Sequence, residues 1–600
     1  MYKEFLTKNL TLTLYPDFQD CNIKRIKLIF LYIYTMSFVR QKSGLFICIL
    51  SLFIFFLLRL PLNLSVACAN ENQGLGFIWG QNLLLWHDLV YGRGLLYVLL
   101  YAAVLKIFGF NTLAIVGIHI LETIISISIG ILLYLIVQKI LKNDFWAGIC
   151  VLVWITLICT PIGKSSLIVE IASHYNLDEE YLCVLFSLCS ILCFSLGNFF
   201  DSNQNSNFNI KEKIFSILSG VFAVCSLMSK ASGAILCIAV FVWFLQACLF
   251  QRENFRFLKL RFLYYFLGML LSLLLFNFVL YVLYGDLLLC WKNYFFVGSY
   301  SHDYLNSCSA FFQAIYRFMT RCTDSVSNFI LFFTAFVLFV YGLLKGCFGK
   351  KNDSTGFWSL ISIWGIGNAC AIIVPGDYQP YYYHLIWTSI SVIFVLGMHE
   401  LFLFLKTADK KRISIFVSVL VSIFFIYRIA VSIPAHCDFI RALNALSVFN
   451  QPQSLQDPVL PYKTTLNFRP LKFRIADEIN ILLPDKKSTF YILDFSGKRL
   501  VSSLSYIYAK RCSPTSIDVG LLAVQTIIET KLKILKRDLS VRKPDVLIVP
   551  ESISLQPWQA AYLPPFLDWA DNLIKNNYRL ENSFNLLNPN ETFFIYRKVK

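Results

Sequence analysis

Two stretches of this chain hold acids, a histidine and cations close together between long apolar runs. In the first, Asn70-Glu71 is followed by a Gly/Trp-rich stretch and then by His87-Asp88-Leu-Val-Tyr91-Gly-Arg93-Gly. A carboxylate in such a place can take a proton from an attacking hydroxyl, and a guanidinium can grip a phosphate with its planar fork. The plain alternative is solvated loop charge. The second stretch holds Lys164, Glu170, His174 and Tyr175, then Asp178-Glu179-Glu180 directly before an apolar run. Acids at a helix start also satisfy free N–H groups and the helix dipole, so this trio has a purely structural reading as well. Lys230 stands between two apolar runs that leave almost no loop. It either snorkels to an interface or offers positive charge to an anionic headgroup. Tyr378 and Tyr381-Tyr382-Tyr383-His384 precede another run; an aromatic belt accounts for the tyrosines, and only His384 asks for more. No His/Cys/Asp group has the spacing of a zinc site, so no metal is expected.

The elements that must position these residues are membrane spans. The chain is 57% hydrophobic, against ~45 to 50% in soluble domains, and 15% charged, against ~25%. A soluble globule would have nowhere to hide that surface. The net charge of +17 does not point to nucleic acid, because Lys and Arg recur in short blocks between apolar runs and do not gather on one groove-facing surface. Most of the cysteines lie inside apolar runs and read as small buried hydrophobes. Cys290, Cys308, Cys322, Cys437 and Cys512 fall outside them, where a disulfide is chemically allowed. Residues 1–35 are polar and unlike a cleavable signal, and Met36 with Arg40 and Lys42 reads as an alternative start. The composition, poor in Ala and Gly and rich in Phe, Ile, Asn and Lys, suggests an AT-rich bacterial genome.

Eleven runs reach span length, at 44–62, 112–138, 145–161, 181–198, 214–229, 232–250, 261–283, 327–345, 357–374, 383–405 and 413–433. Every second connection is basic: Lys139/Lys142, Lys211/Lys213, Arg252 to Arg261, Lys345 to Lys351, and Lys406 to Arg412. The positive-inside bias then places the N-terminus inside and whatever follows the last span outside. The run Leu95 to Phe108 is short for a span and breaks the alternation if counted, so it is expected to lie along the outer interface. The first external loop therefore runs over 62–111. From residue 434 onward, Phe468 to Leu483 predicts an amphipathic helix, Phe490 to Leu493 a strand, Leu500 to Ala509 a helix, Pro544 to Pro550 a buried strand, and Tyr578 to Tyr596 two strands flanking an Asn/Pro turn. The expected fold is an α-helical polytopic membrane protein with interfacial helices, a transmembrane domain over 36–433 and a soluble external α/β domain over 434–600.

Four features resemble the C-type glycosyltransferases, in particular the bacterial relatives of protein O-mannosyltransferases and of the lipid A aminoarabinose transferase. They are an acidic pair in the first loop ahead of VYGRGLLYVLLYAAVLKIFG, a second external loop with an acid before a span, a Gly220 to Gly233 element ending L-x-S-K-x-S-G, and PGDYQPYYYHLIW ahead of an external α/β tail. The family's Asp-Glu pair is Asn70-Glu71 here, and its Pro near Gly94 is absent. The resemblance implies a sugar donor linked to a polyprenyl phosphate, an acceptor hydroxyl on a lipid, glycan or protein, inversion at the anomeric carbon, and a bacterial inner membrane with the chemistry on the periplasmic side. It further implies Glu71 as the base, with Asp88 as the alternative. Asp178 or Glu179 would be a second acid, Arg93, Lys230 and His384 a phosphate clamp, and Asn70 and Tyr382 positioning groups. No cofactor is implied, a divalent ion being the one addition the chemistry could use. Two rivals are a polysaccharide polymerase or ligase, which would carry its large loop mid-chain, and a transporter, which would need ionisable groups along its spans. Apart from Arg428 and Glu400 the spans read as nearly free of those.

Overall fold

The computed structural model describes residues 43–65, 71–86, 94–160, 179–200, 209–250, 255–296, 308–323, 325–349, 353–373, 380–407, 411–444, 470–485, 487–493, 502–515, 528–551, 564–587 and 590–599. The membrane part begins with α1 (Ser43–Asn63), α2 (Glu71–Trp86), α3 (Leu95–Phe108), α4 (Thr112–Leu141), α5 (Asp144–Cys159), α6 (Glu179–Leu196) and α7 (Ile210–Ser229). It continues with α8 (Ala234–Phe250), α9 (Phe255–Tyr284), α10 (Leu287–Phe296), α11 (Cys308–Cys322), α12 (Val326–Phe348), α13 (Asp353–Ile373), α14 (His384–Thr407) and α15 (Lys411–Asn444). Ten described helices are long and apolar enough to cross a membrane, and all ten coincide with expected spans. The remaining expected span is α5, which at 16 residues is shorter but buried along most of its length.

Contacts between helix ends give the bundle two distinct faces. At one, the Leu45 N–H donates to Asp144 (3.2 Å), Arg261 to Glu212 (3.0 Å), and Lys345 pairs with Glu400. At the other, Arg428 donates to Asn328 (2.8 Å) and Thr160 (3.2 Å), and Asn368 donates to the Leu385 carbonyl (2.8 Å). Short α5 thus reaches from Leu45 at one face to Arg428 at the other. The connections are set by local chemistry. Asn111 caps α4 through the Leu113 N–H (2.7 Å), Asn143 caps α5 through Phe145 (3.1 Å), and Asn209 caps α7 through Glu212 (2.9 Å). Each side-chain oxygen satisfies an N–H that the helix start leaves free.

Helix α3 does not cross. Gly94 ahead of it touches the end of α7, Asn111 behind it caps α4, and both lie at the Arg428 face. The preceding stretch, expected as part of the first external loop, instead forms the largely buried helix α2. Helices α2 and α3 pack as a hairpin, and Gly80 allows it: a Cβ there would stand 2.7 Å from the Ala102 nitrogen.

Helix α15 runs through Pro434 to Asn444, past the expected end of the last span. The C-terminal domain adds α16 (Pro470–Leu482), α17 (Ser502–Tyr508), α18 (Ile528–Arg542) and α19 (Pro564–Asn577) around one sheet of β1 (Phe490–Ile492), β2 (Val546–Pro550), β3 (Tyr578–Leu587) and β4 (Asn590–Lys598). The strand order is β1-β2-β4-β3, with β1 parallel to β2 and the other pairs antiparallel. Helices α18 and α19 were not expected; every other element of the domain was. The domain docks on α2: Gln81 donates to the Ser513 carbonyl and accepts from its N–H, both at 3.2 Å. The face bearing Arg428, α2, α3 and this domain is termed the domain face, and the opposite one the far face.

Gly80→Val should pry α2 from α3 and destabilise the protein by about 1 to 3 kcal/mol, the usual cost of overpacking. Thermal unfolding of the detergent-solubilised protein reads this, and an unchanged transition would mean the hairpin does not bear on stability.

Candidate active site

Four elements meet at the domain face around Lys230. Helix α7 ends at Ser229, and Lys230 adopts an extended backbone before a short turn at Ala231–Gly233 opens α8. Helix α6 starts beside it, helix α10 lies over its last turn, and the turn Pro380–Tyr383 leads into α14. The seam between α6 and α7 is built from small polar side chains, so the two backbones approach closely. Ser190 donates to the Ser219 carbonyl (2.8 Å), Ser219 to that of Ser190 (2.9 Å) and Ser226 to that of Cys183 (3.0 Å), while the Ser187 and Ser226 hydroxyls lie 2.9 Å apart. Serine suits this position because its hydroxyl satisfies itself on a neighbouring backbone where water is absent.

At the top of that seam Lys230 forms an ion pair with Glu180, whose side chain is 1% exposed. The ammonium also lies 4.4 Å from the centre of the Tyr382 ring, within the range of a cation–π contact. His384 opens α14 and packs against Tyr181, ring centres 4.3 Å apart. Tyr294 of α10 donates to the Leu227 carbonyl. Burial, and secondarily the negative charge of Glu179, hold the Tyr294 phenol well above its usual pKa, so it keeps its proton and remains a donor. Glu179, Glu180, His384 and Tyr382 are all buried, which places two carboxylates and an imidazole in poorly solvated surroundings beside the Lys230 ammonium. In such surroundings an anionic ligand gains more from Lys230 than it would in water. Gly94 adds a further element: a Cβ there would stand 1.9 Å from the Ser229 carbonyl oxygen, so the chain that follows Arg93 is pressed against the residue that precedes Lys230.

The expected site residues are thus partly assembled. Lys230, Tyr382, His384 and Glu179 come together. Glu71 opens α2 on the same face. Asn70, Asp88, Arg93 and Asp178 lie outside the described residues. Two members went unread in the sequence as site residues. Glu180 stood in the Asp178-Glu179-Glu180 trio with nothing to set it apart from its neighbour, and Tyr294 lay in a loop with no motif. Among the described residues no group of three or more His, Cys, Asp or Glu side chains is placed to hold a metal ion. Cys290, Cys437 and Cys512 are free thiols.

The spans are richer in charge than the sequence reading allowed. Arg59 of α1 donates to Glu122 of α4 (3.0 Å) and to Thr123 (2.9 Å), and Gln73 of α2 donates to the other oxygen of Glu122 (2.7 Å), all of them buried. Arg261 is held likewise by Glu212. These charges are paired with one another, as groups in a membrane interior must be.

No protein-family model matches the chain, and no curated protein matches it. Solved structures that do match include three of an oligosaccharyltransferase from Archaeoglobus fulgidus. The first, AglB in complex with an inhibitory peptide and a dolichol-phosphate, has a TM-score of 0.52 at 12% identity and covers 92% of this chain and 74% of its own. The second, tethered by a disulfide to an acceptor peptide with the NVT sequon, gives 0.51 at 13% identity, covering 94% and 75%. The apo form gives 0.50 at 12%, covering 85% and 70%. At such identities the likeness is one of fold alone: the chain shares the fold of this membrane-embedded oligosaccharyltransferase over most of its length.

The Glu180–Lys230 pair makes a direct prediction. Lys230→Met leaves a carboxylate buried without its counter-ion and should destabilise by about 3 kcal/mol. Combining it with Glu180→Gln should recover much of that loss. Chemical or thermal unfolding of the two single variants and the double variant completes the cycle; strictly additive losses would mean the groups do not interact.

Proposed function

We propose that the chain is an inverting membrane glycosyltransferase that moves a sugar from a polyprenyl-phosphate-linked donor to an acceptor hydroxyl on a lipid, glycan or protein. One observation carries the reading: in a chain with this fold, four elements converge on a half-buried cation at the domain face. A dolichol-phosphate accompanies the AglB structure of the same fold, which supports a lipid-phosphate donor. The reaction needs the acceptor oxygen and the leaving phosphate in line across the anomeric carbon. The acceptor hydroxyl attacks that carbon, the bond from carbon to phosphate oxygen breaks, the polyprenyl phosphate departs, and a carboxylate takes the hydroxyl proton. Lys230, with Arg93 and His384, neutralises the leaving phosphate. Glu180 holds Lys230 until the phosphate arrives, and Tyr382 keeps the ammonium aimed. Glu71 at the start of α2 is the base, with Asp88 the alternative, and Asp178 or Glu179 orients a substrate. The alternation of basic loops supports reading this face as the outer one, which in the proposal is the periplasmic side of a bacterial inner membrane.

Two experiments test this. Removing the base while keeping its shape should lower the rate by about 10² to 10⁴-fold with donor binding preserved, so Glu71→Gln should show that loss in reconstituted vesicles. Lys230→Ala should weaken donor binding instead. If Glu71→Gln is fully active and Asp88→Asn is dead, the base is Asp88; if both are fully active, this loop is not the catalytic centre. For sidedness, a reporter active only outside the cytoplasm should signal when fused after Lys600 and stay silent near Lys350. The reverse pattern would move the site to the cytoplasmic side and sink the proposal.

A further inference from the structure

The far face carries a groove that the glycosyl-transfer reading does not use. It lies between the end of α4, the start of α5 and the end of α6, with a volume of about 770 Å³, inside the ~300 to 1,000 Å³ range of small-ligand sites. Leu135, Leu192 and Leu196 line it together with Gln138, Lys139 and Lys142. The corner between α4 and α5 is only two residues long, and Lys142 turns it in the left-handed region at φ 51°, which brings Lys139 and Lys142 to the same rim. Both lysines are exposed, and neither forms an ion pair with a described residue. The groove's one acid, Asp144, is committed elsewhere: it accepts from the Tyr134 hydroxyl, from the Gln138 amide at 2.9 Å and from the Leu45 N–H at 3.2 Å.

We propose that this groove binds the headgroup phosphate of an anionic phospholipid, Lys139 and Lys142 gripping the phosphate while the leucines bed the first part of an acyl chain. Two features favour a lipid over a free anion. The groove sits at the membrane end of spanning helices, and three of its seven lining residues are leucines, which inorganic phosphate could not use. Lysines near an anionic leaflet each add about 1 kcal/mol, or about fivefold, to affinity. The site is independent of the catalytic proposal, although α6 runs from Glu180 at one face to Leu196 of the groove at the other.

The test titrates the delipidated full-length protein with phosphatidylglycerol and with phosphatidylcholine and counts retained lipids by native mass spectrometry. Lys142→Asn keeps a residue tolerant of the left-handed turn, and Lys139→Gln keeps helix propensity, so the double variant should fold. It is expected to bind phosphatidylglycerol roughly thirtyfold more weakly, with phosphatidylcholine retention unchanged. Lys211→Gln/Lys213→Gln removes the same charge elsewhere on this face and should bind like the parent. Equal losses in both double variants would reduce the effect to general surface charge and overturn the site. So would an unchanged affinity in Lys139→Gln/Lys142→Asn, or displacement of the lipid by millimolar inorganic phosphate, which would make the site one for a free anion.

Discussion

The ion pair between Arg59 and Glu122 is the constraint on which the domain face depends. Both groups are buried in helices that cross the membrane, where each alone would cost several kcal/mol and the surroundings offer no water. The pair therefore fixes how α1 and α4 lie against each other, since sliding either helix by one turn would strand two charges. Such a pair need not add stability over a well-packed apolar contact; its effect is that the alternatives are expensive. Glu122 spends its second oxygen on Gln73, which carries the constraint out of the spans and into α2. The remaining intramembrane charges follow the same rule, with Arg261 on Glu212, Arg428 on Asn328 and Thr160, and Lys345 on Glu400.

This rule separates what binds from what merely packs. Arg261 and Arg428 are nearly inaccessible and held by partners on two neighbouring elements, and Arg59 is held by Glu122 and Thr123 of α4, so a ligand would gain little from them. Lys230 differs: its side chain is 16% exposed, its counter-ion arrives from the first turn of another helix, and an aromatic face covers it. A charge paired with a carboxylate at a helix end can exchange that carboxylate for a phosphate without disturbing a span. Its flexible stem suits that exchange better than a guanidinium fork locked in a network.

Much of the fold was legible because membrane spans and strands are local patterns. Eleven apolar runs, the basic connections between alternate pairs, and the four strands of the C-terminal domain all reappear in the structure. Helix α2 escaped notice because Gly74, Gly76 and Gly80 with Asn72, Gln73, Gln81 and Asn82 dilute its hydropathy and look like loop residues. In the fold these residues do specific work, with Gly80 admitting α3 and Gln73 and Gln81 each making a long-range bond. Arg59 and Glu122 were missed for a related reason: 63 positions separate them, and nothing in either neighbourhood announces the other. Lys230 was readable because it interrupts apolar sequence; Glu180 was not, because acids before a helix have an ordinary capping explanation.

Helix α2 is consequently fixed from two directions. Near its start, Gln73 is bonded to Glu122 of the membrane bundle. Eight residues later, about 12 Å along the axis, Gln81 exchanges two hydrogen bonds with the Ser513 backbone of the C-terminal domain. Position 73 therefore cannot shift without breaking a buried charge network, and position 81 cannot shift without moving the domain. Glu71 stands one half-turn before the first of these anchors. A residue meant to meet a substrate hydroxyl within hydrogen-bond reach needs a backbone held to within fractions of an ångström, and a helix clamped by the spans on one side and the soluble domain on the other supplies that. The C-terminal domain is thereby the second jaw of the clamp on the helix that carries Glu71, the base of the proposed mechanism.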